Sequence, residues 1–144
     1  MTEIVAPEGY ELTAPRGFNV HGGPVFVRKR EDGTLHFILD IEDRHMNMGG
    51  VVHGGVLMSM ADVTLGVTVF EKIGRKACAT INLDCNFLAA GKLGDRIQGT
   101  AEVVRETRDV VFVEGRLYTE KRTLMTAQGI WKILHTTPPF SDPV

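Results

Sequence analysis

The chain reads as an α+β domain in which an antiparallel sheet of about six strands curls around one long central helix. Three features predict this: alternating apolar and polar runs on both sides of one long apolar segment, short links between the later runs, and a single helical segment to cover the sheet. At 144 residues one domain is expected, spanning 1–144, because single cores typically extend to roughly 100–150 residues before splitting. Residues 1–20 and 135–144 show little periodicity and are expected to be peripheral or mobile.

In chain order, residues 24–40 come first, with two β-rich runs, PVFVRKR and TLHFILD, separated by EDG. The Asp32-Gly33 pair is a tight-turn signal, so these runs form a hairpin. Next comes DRHMNMGGVVHGG, in which Gly49, Gly50, Gly54 and Gly55 crowd together and read as a loop feeding a helix. Residues 52–74 then carry apolar side chains nearly all round, the pattern of a buried helix. Strands are expected at 76–88, 95–106, 110–120 and 123–134. In the first, Ile81, Leu83, Cys85 and Phe87 alternate with Thr80, Asn82, Asp84 and Asn86, which assigns Thr80 to the polar face. Short links forbid parallel neighbours, so the four strands are expected to form an antiparallel meander.

Composition narrows the function classes. With 43% hydrophobic and 24% charged residues and a net charge of −2, the chain has no basic excess to hold a nucleic acid, and any anionic ligand must be met by a few placed groups. The start, MTEIVAPEGYELTAP, is acidic and has no apolar core behind a basic segment, so no signal peptide is expected and the cytoplasm is the expected location. The apolar stretch 56–70 is interrupted by Ser59, Asp62, Thr64 and Thr68 and falls short of the roughly 20 residues of a membrane helix, so no membrane span is expected. Cys78 and Cys85 are an odd number of positions apart in one strand, which sends them to opposite faces as reduced packing residues. His21, His36, His45 and His135 are scattered without ligand spacing, and no metal site is expected.

Two features carry chemistry. Asp62 sits mid-helix among Leu57, Met58, Met60, Ala61, Val63, Leu65 and Gly66, company that desolvates a carboxylate unless something pairs with it. A solvent-facing stripe or a bond to Ser59 is the ordinary structural reading. Gly54 and Gly55 follow His53 where the helix begins, so the first backbone N–H groups lack intrahelical partners and favour negative charge. A turn shaped by the glycines is the ordinary alternative there. Gly54 and Asp62 are eight residues apart, roughly 12 Å along a helix. A base and an oxyanion donor must both lie within about 3–3.5 Å of one reacting carbonyl. If both residues are catalytic, each must act on a site completed by a second subunit, and the assembly is a symmetric dimer.

The segments NMGGVVHGGVLMSMADVTLGV and ATINLDCNFLAAGKLGD resemble the hotdog-fold acyl-CoA thioesterases of the phenylacetate-associated and human thioesterase superfamily type, over most of the chain from Asp40 onward. The resemblance implies a helix wrapped by an antiparallel sheet, a homodimer with a continuous sheet, and a homotetramer built as a dimer of dimers. It implies hydrolysis of an acyl-CoA thioester to a free acid and coenzyme A, without a cofactor. It assigns the thioester oxygen to the Gly54 N–H, with Asn47 beside the site, His53 near the sulfur, Asp62 across the dimer as nucleophile or general base, and Thr80 assisting the attacking water. Gly55, Lys92, Arg96, Arg105 and Arg108 are candidate contacts to coenzyme A. Two departures flank that region: AAG stands where the family usually carries a Pro, and Thr107-Arg108-Asp109 stands where it usually carries a turn Gly. Met46, Met48, Met58 and Met60 are candidates for an acyl tunnel or ordinary core filling. A hydratase or dehydratase of the same fold and a non-enzymatic acyl-CoA-binding module are the alternatives.

Overall fold

A computed structural model describes residues 3–136 of the chain. The elements are β1 (Glu11–Leu12), α1 (Phe18–Gly22), β2 (Phe26–Lys29), β3 (Leu35–Asp40), α2 (Gly54–Lys72), β4 (Cys78–Phe87), β5 (Arg96–Glu106), β6 (Val110–Tyr118) and β7 (Thr123–Ile133). The β2–β3 hairpin turns where Asp32-Gly33 predicts it, with Gly33 at φ 87° and the Asp32 carboxylate accepting from the Thr34 amide and hydroxyl. A seventh strand appears because Glu11 and Leu12 pair with Val27 and Phe26 at the sheet edge; two residues are too few for an alternating signal.

All strand pairs are antiparallel, in the order β1-β2-β3-β5-β6-β7-β4. The expected four-strand meander is therefore correct only for β5-β6-β7. β4 instead pairs with β7 at the far edge, and residues 88–95 carry the chain back across the sheet to β5. The geometry permits this. Eight extended residues reach roughly 26–29 Å, whereas three strand spacings amount to only about 14 Å. The link is held at both ends, by Leu88 N–H to Leu124 O at 2.8 Å and Gly94 N–H to Ile41 O at 3.2 Å, and in the middle by Val52 N–H to Gly91 O at 2.9 Å.

The sheet curls around α2, the arrangement that the hotdog resemblance implies. Leu57, Met60, Ala61, Val63, Leu65 and Val69 of the helix are buried against Phe37, Leu39, Ile97, Val111, Val113, Leu117, Met125 and Trp131 of the strands. By length and composition alone α2 would qualify as a membrane span; here one face of it packs on the sheet, while Met58 is left exposed. Inward-facing Gly99 and Gly115 let the helix approach: a Cβ on Gly99 would meet Thr64 Oγ1 at 2.8 Å, and one on Gly115 would meet Leu65 Cδ1 at 3.0 Å. β3 is buried on both faces. Phe37 and Leu39 join the helix-side core, while His36 faces the other way, hydrogen-bonded to Tyr10 of the N-terminal segment and to Gln98. Residues 3–22 thus contribute one strand, one short helix and a cover for β3. The expectation for residues 135–144 falls, beyond Thr136, outside the described residues.

The edge strand β4 carries one irregularity. The β4–β7 register shifts between Thr80 and Asn82: Thr80 pairs with Trp131 and Asn82 with Ile130, so Ile81 is an inserted residue. A bulge of this kind flips the alternation of everything beyond it. Leu83, Cys85 and Phe87 lie opposite inward-facing Gly129, Ala127 and Met125, and past the bulge the inward positions become Thr80 and Cys78. Thr80 accordingly faces the helix, a correction to its assignment to the polar face. The two cysteines share a face instead of opposing each other. Both are free, and seven positions of strand separate them by roughly 23 Å.

Candidate functional site between the central helix and the edge strand

α2 begins cleanly at Gly54 because His53 caps it. The His53 backbone is extended (φ −60°, ψ 133°), its carbonyl accepts from the Val56 N–H at 2.9 Å, and its ring Nδ1 accepts from the Gly55 N–H at 2.8 Å. That bond sets the neutral ring as the Nε2–H tautomer, with the Nε2–H pointing outward from the cap. One amide of the first turn is left over. Among the described residues nothing accepts from the Gly54 N–H, so the helix presents a single unpaired donor at its positive end.

The approach to this cap is pinned from below. His45 is 1% exposed; its Nδ1 accepts from the Glu42 N–H at 2.9 Å, its Nε2–H donates to Gly23 O at 3.0 Å, and its carbonyl accepts from the His53 N–H at 2.8 Å. Arg44 donates to the carbonyls of Val20, His21 and Gly23, which ties α1 to the same loop. Asn47 holds the glycine loop together: its Oδ1 accepts from the Gly49 N–H at 2.9 Å and the Val51 N–H at 3.2 Å, while its backbone N–H donates to Val51 O. Asn47 therefore stands on the small hairpin that leads into the cap, with its amide nitrogen as the free end of the side chain.

Asp62 lies two turns further along the helix. Thr80 donates its hydroxyl to Asp62 Oδ1 at 2.7 Å, a contact that exists because the bulge at Ile81 turned Thr80 inward. The Asp62 charge is felt by both cysteines on that face. Burial pushes the Cys78 thiol above its ordinary pKa with Asp62 adding to it, and burial, then Asp84, then Asp62 do the same to Cys85.

Gly54, Met58 and Asp62 recur every fourth residue, so they share one face of α2. Opposite them, β4 supplies Phe87 at the Gly54 end and Thr80 at the Asp62 end: a Cβ on Gly54 would lie 3.3 Å from the Phe87 ring, and Thr80 bonds Asp62. Between the ends lie the half-buried Leu83 and Cys85. The result is a seam along the sheet edge, donor at one end and carboxylate at the other. Among the described residues no strand flanks β4 on its outer side, and Met58, Ile81, Phe87 and Leu88 are 42%, 56%, 54% and 57% exposed.

The expected site residues thus fall into two groups. Gly54, Gly55, His53 and Asn47 gather at the helix start, and Asp62 and Thr80 gather eight residues on. One protomer does not bring the two groups to one point. The four basic candidates are also divided. Lys92 follows Gly91, whose carbonyl accepts from Val52 at the helix entry. Arg96 forks onto Asp40 with bonds of 2.7 and 2.8 Å. Arg105 and Arg108 lie at the opposite end of β5, about 30 Å from Arg96 along the strand. Each departure from the family pattern has a local reason. Gly91 packs so closely that a Cβ would sit 2.8 Å from Val52 Cγ2. Thr107 closes its own turn, its hydroxyl bonding both the carbonyl and the amide of Val110 at 2.7 and 3.0 Å.

Two residues of this region were not singled out by sequence. Phe87 reads there as one more apolar position of an alternating strand, and only its seat against Gly54 distinguishes it. Arg122, in the turn before β7, donates to Ala90 O at 2.6 Å and holds the crossing link near the helix entry; an isolated Arg in a KR turn carries no signal. Met60 is buried core, whereas Met48 and Met58 are exposed. Among the described residues no group of three His, Cys, Asp or Glu side chains is placed to hold a metal ion.

Comparison with known proteins gives a consistent picture. The family model described as "Thioesterase superfamily" matches residues 49–126. A Pseudomonas aeruginosa protein named "Putative esterase" is 30% identical over 112 residues, covering 77% of this chain and 84% of that one. Among solved structures, a phenylacetic acid degradation-related protein from Ralstonia eutropha is 28% identical with a TM-score of 0.70, covering 80% of this chain and 87% of that one. A Bacillus halodurans protein crystallised with CoA is 25% identical with a TM-score of 0.71, covering 76% and 74% of the two chains.

Proposed function

The chain belongs to the thioesterase superfamily, and from that premise we propose that it hydrolyses an acyl-CoA thioester at a site shared between two antiparallel copies of α2. The observation that carries this reading is the division of one helix face: an unpaired amide at Gly54 and a Thr80-bonded carboxylate at Asp62, eight residues apart. About 12 Å of helix separates them, too far for one carbonyl. A two-fold axis beside the β4 edge brings the Asp62 of each protomer to the Gly54 of the other, and makes two equivalent sites. The exposed apolar residues of that edge support such a pairing. CoA bound to the Bacillus halodurans relative supports the choice of thioester. A dimer of such dimers is the expected full assembly.

In this site the thioester oxygen accepts from the Gly54 N–H, which concentrates positive charge where negative charge develops. Asp62 removes a proton from water as the water oxygen bonds to the carbonyl carbon, or its carboxylate oxygen makes that bond itself and water then cleaves the anhydride. Thr80 holds one carboxylate oxygen and leaves the other to react. The tetrahedral adduct collapses by breaking the C–S bond. The sulfur leaves as a thiolate that accepts a hydrogen bond from the His53 Nε2–H and takes up the proton that water gave to Asp62. The products are a carboxylic acid and CoA, and no cofactor enters the balance. A hydratase would need His53 as a free base, but its Nδ1 already accepts from the Gly55 N–H.

Asp62→Asn tests this directly. Thiol release from a panel of acyl-CoAs should fall by about 100- to 10,000-fold, the range of a lost general base, while affinity for a non-hydrolysable CoA thioether stays unchanged. Undiminished turnover in the variant refutes the proposal.

A further inference from the structure

Among the described residues two histidines are buried, His36 and His45, and His45 is the one bonded to the cap of α2. It is 1% exposed, and a polar ring at that depth is costly unless both of its nitrogens are bonded. Both are. Nδ1 accepts from the Glu42 N–H, which can only donate, so the neutral ring carries its proton on Nε2 and donates it to the Gly23 carbonyl. The main chain of the same residue is also engaged. The His45 carbonyl accepts from the His53 N–H at 2.8 Å, Met46 bridges Val52, and the Asn47 N–H donates to Val51 O. Residues 45–53 thus form a small hairpin, with His45 paired to the residue that caps the helix. One side chain and two hydrogen bonds join Gly23 of the N-terminal segment to His53, whose carbonyl shares a rigid peptide plane with the Gly54 N–H.

We propose that His45 is a positioning residue for the Gly54 amide: it transmits the seat of α1 and Gly23 to the cap of α2 and fixes the direction in which the unpaired N–H points. The inference rests on the hydrolytic reading of Gly54. The far end of the path is itself held, because Arg44 donates to the carbonyls of Val20, His21 and Gly23. Gly23 has no room to shift: a Cβ there would overlap Asn19 O and stand 2.7 Å from Val25 N. Hydrophobic packing is non-directional, whereas a fully bonded polar network admits one arrangement, and a catalytic group must be held within about 0.5 Å of its working place. The hairpin has a second anchor, Val52 N–H to Gly91 O, which ties the neighbouring residue to the crossing link. With the His45 anchor lost, the cap can pivot on that one. The donor then stays near the substrate oxygen but is misaimed, which weakens transition-state stabilisation more than substrate binding.

Substitutions at both ends of the path test it. An asparagine amide reaches where Nδ1 stands and a glutamine amide where Nε2 stands, so His45→Asn keeps the Glu42 contact alone and His45→Gln keeps the contact to Gly23. Gly23→Ala leaves His45 intact and displaces the carbonyl that it bonds, which keeps the test decisive where His45→Asn does not fold. With the acyl-CoA that the wild type cleaves fastest, kcat should fall about 10- to 100-fold in His45→Asn and Gly23→Ala, the size of a misplacement of about 1 Å, with KM within about 2-fold of wild type. His45→Gln should recover most of the loss. An unchanged kcat in folded His45→Asn or Gly23→Ala, or a loss in His45→Gln as large as that in His45→Asn, overturns the role. A wild type that cleaves no thioester defeats the hydrolytic reading instead, and the placement is then read by NMR on protein carrying isotope-labelled glycine. The Gly54 amide signal should shift in His45→Asn while those of Gly99 and Gly115 in the sheet stay. An unmoved Gly54 signal overturns the positioning role as well.

Discussion

Thr64 and Thr80 are the same residue type with opposite fates. Thr80 donates its hydroxyl to Asp62 at 2.7 Å, so its polar atom has a partner. Thr64 is fully buried against Gly99, and its Oγ1 has no hydrogen-bond partner. A buried hydroxyl without a partner costs about 1–3 kcal/mol of desolvation. Thr64→Val keeps the shape and removes that cost, so the variant should be more stable by about 1 kcal/mol. A urea titration should show a raised midpoint with an unchanged slope. A lowered midpoint means that the methyl replacing the hydroxyl does not fit over Gly99.

At the scale of elements, the N-terminal segment and β3 form a small assembly of their own around His36. Tyr10 OH meets Nδ1 at 2.8 Å, Gln98 meets Nε2 at 2.9 Å, and the side chain is 5% exposed. Burial is the main cause of its pKa lying below 6.5; the bond to Gln98 opposes this, and Arg30, Arg28 and Arg96 add their repulsion. The unfolded chain therefore binds more protons than the folded one as pH drops below the ordinary histidine value. The stability that comes from keeping His36 neutral is full above that value and is lost progressively between it and the folded pKa. Thermal melts at pH 7.5 and pH 5 should show a loss at the lower pH that is smaller in His36→Gln. Equal losses in the two proteins would mean that the acid sensitivity lies elsewhere.

For the whole molecule, the proposed two-subunit site makes a prediction that no single-chain site shares. Gly54→Pro removes the one free amide while suiting the helix: proline is tolerated at the first helical position, and the extended His53 is compatible with a following proline. The variant alone should lose hydrolysis, as should Asp62→Asn. Mixed by co-expression in equal amounts, the two chains form mixed dimers in half of the pairings, and each mixed dimer has one site built from intact halves. Activity should return to roughly a quarter of the wild-type value. Continued silence of the mixture, with mixed dimers verified by mass, would show that Gly54 and Asp62 do not meet across the interface.

Much of this was legible from one dimension. The hairpin at Asp32-Gly33, the extent of α2, the four later strands and the residues at the helix start come from turn chemistry, periodicity and capping, which are local and recur every two or 3.6 residues. The place of β4 beside β7, the inward turn of Thr80 and the seat of Phe87 against Gly54 were decided by tertiary structure. A bulge adds one residue without changing composition, and an eight-residue link can cross three strands as readily as it can turn back. Such choices are settled by which surfaces can be buried together, and a local pattern carries no information about that.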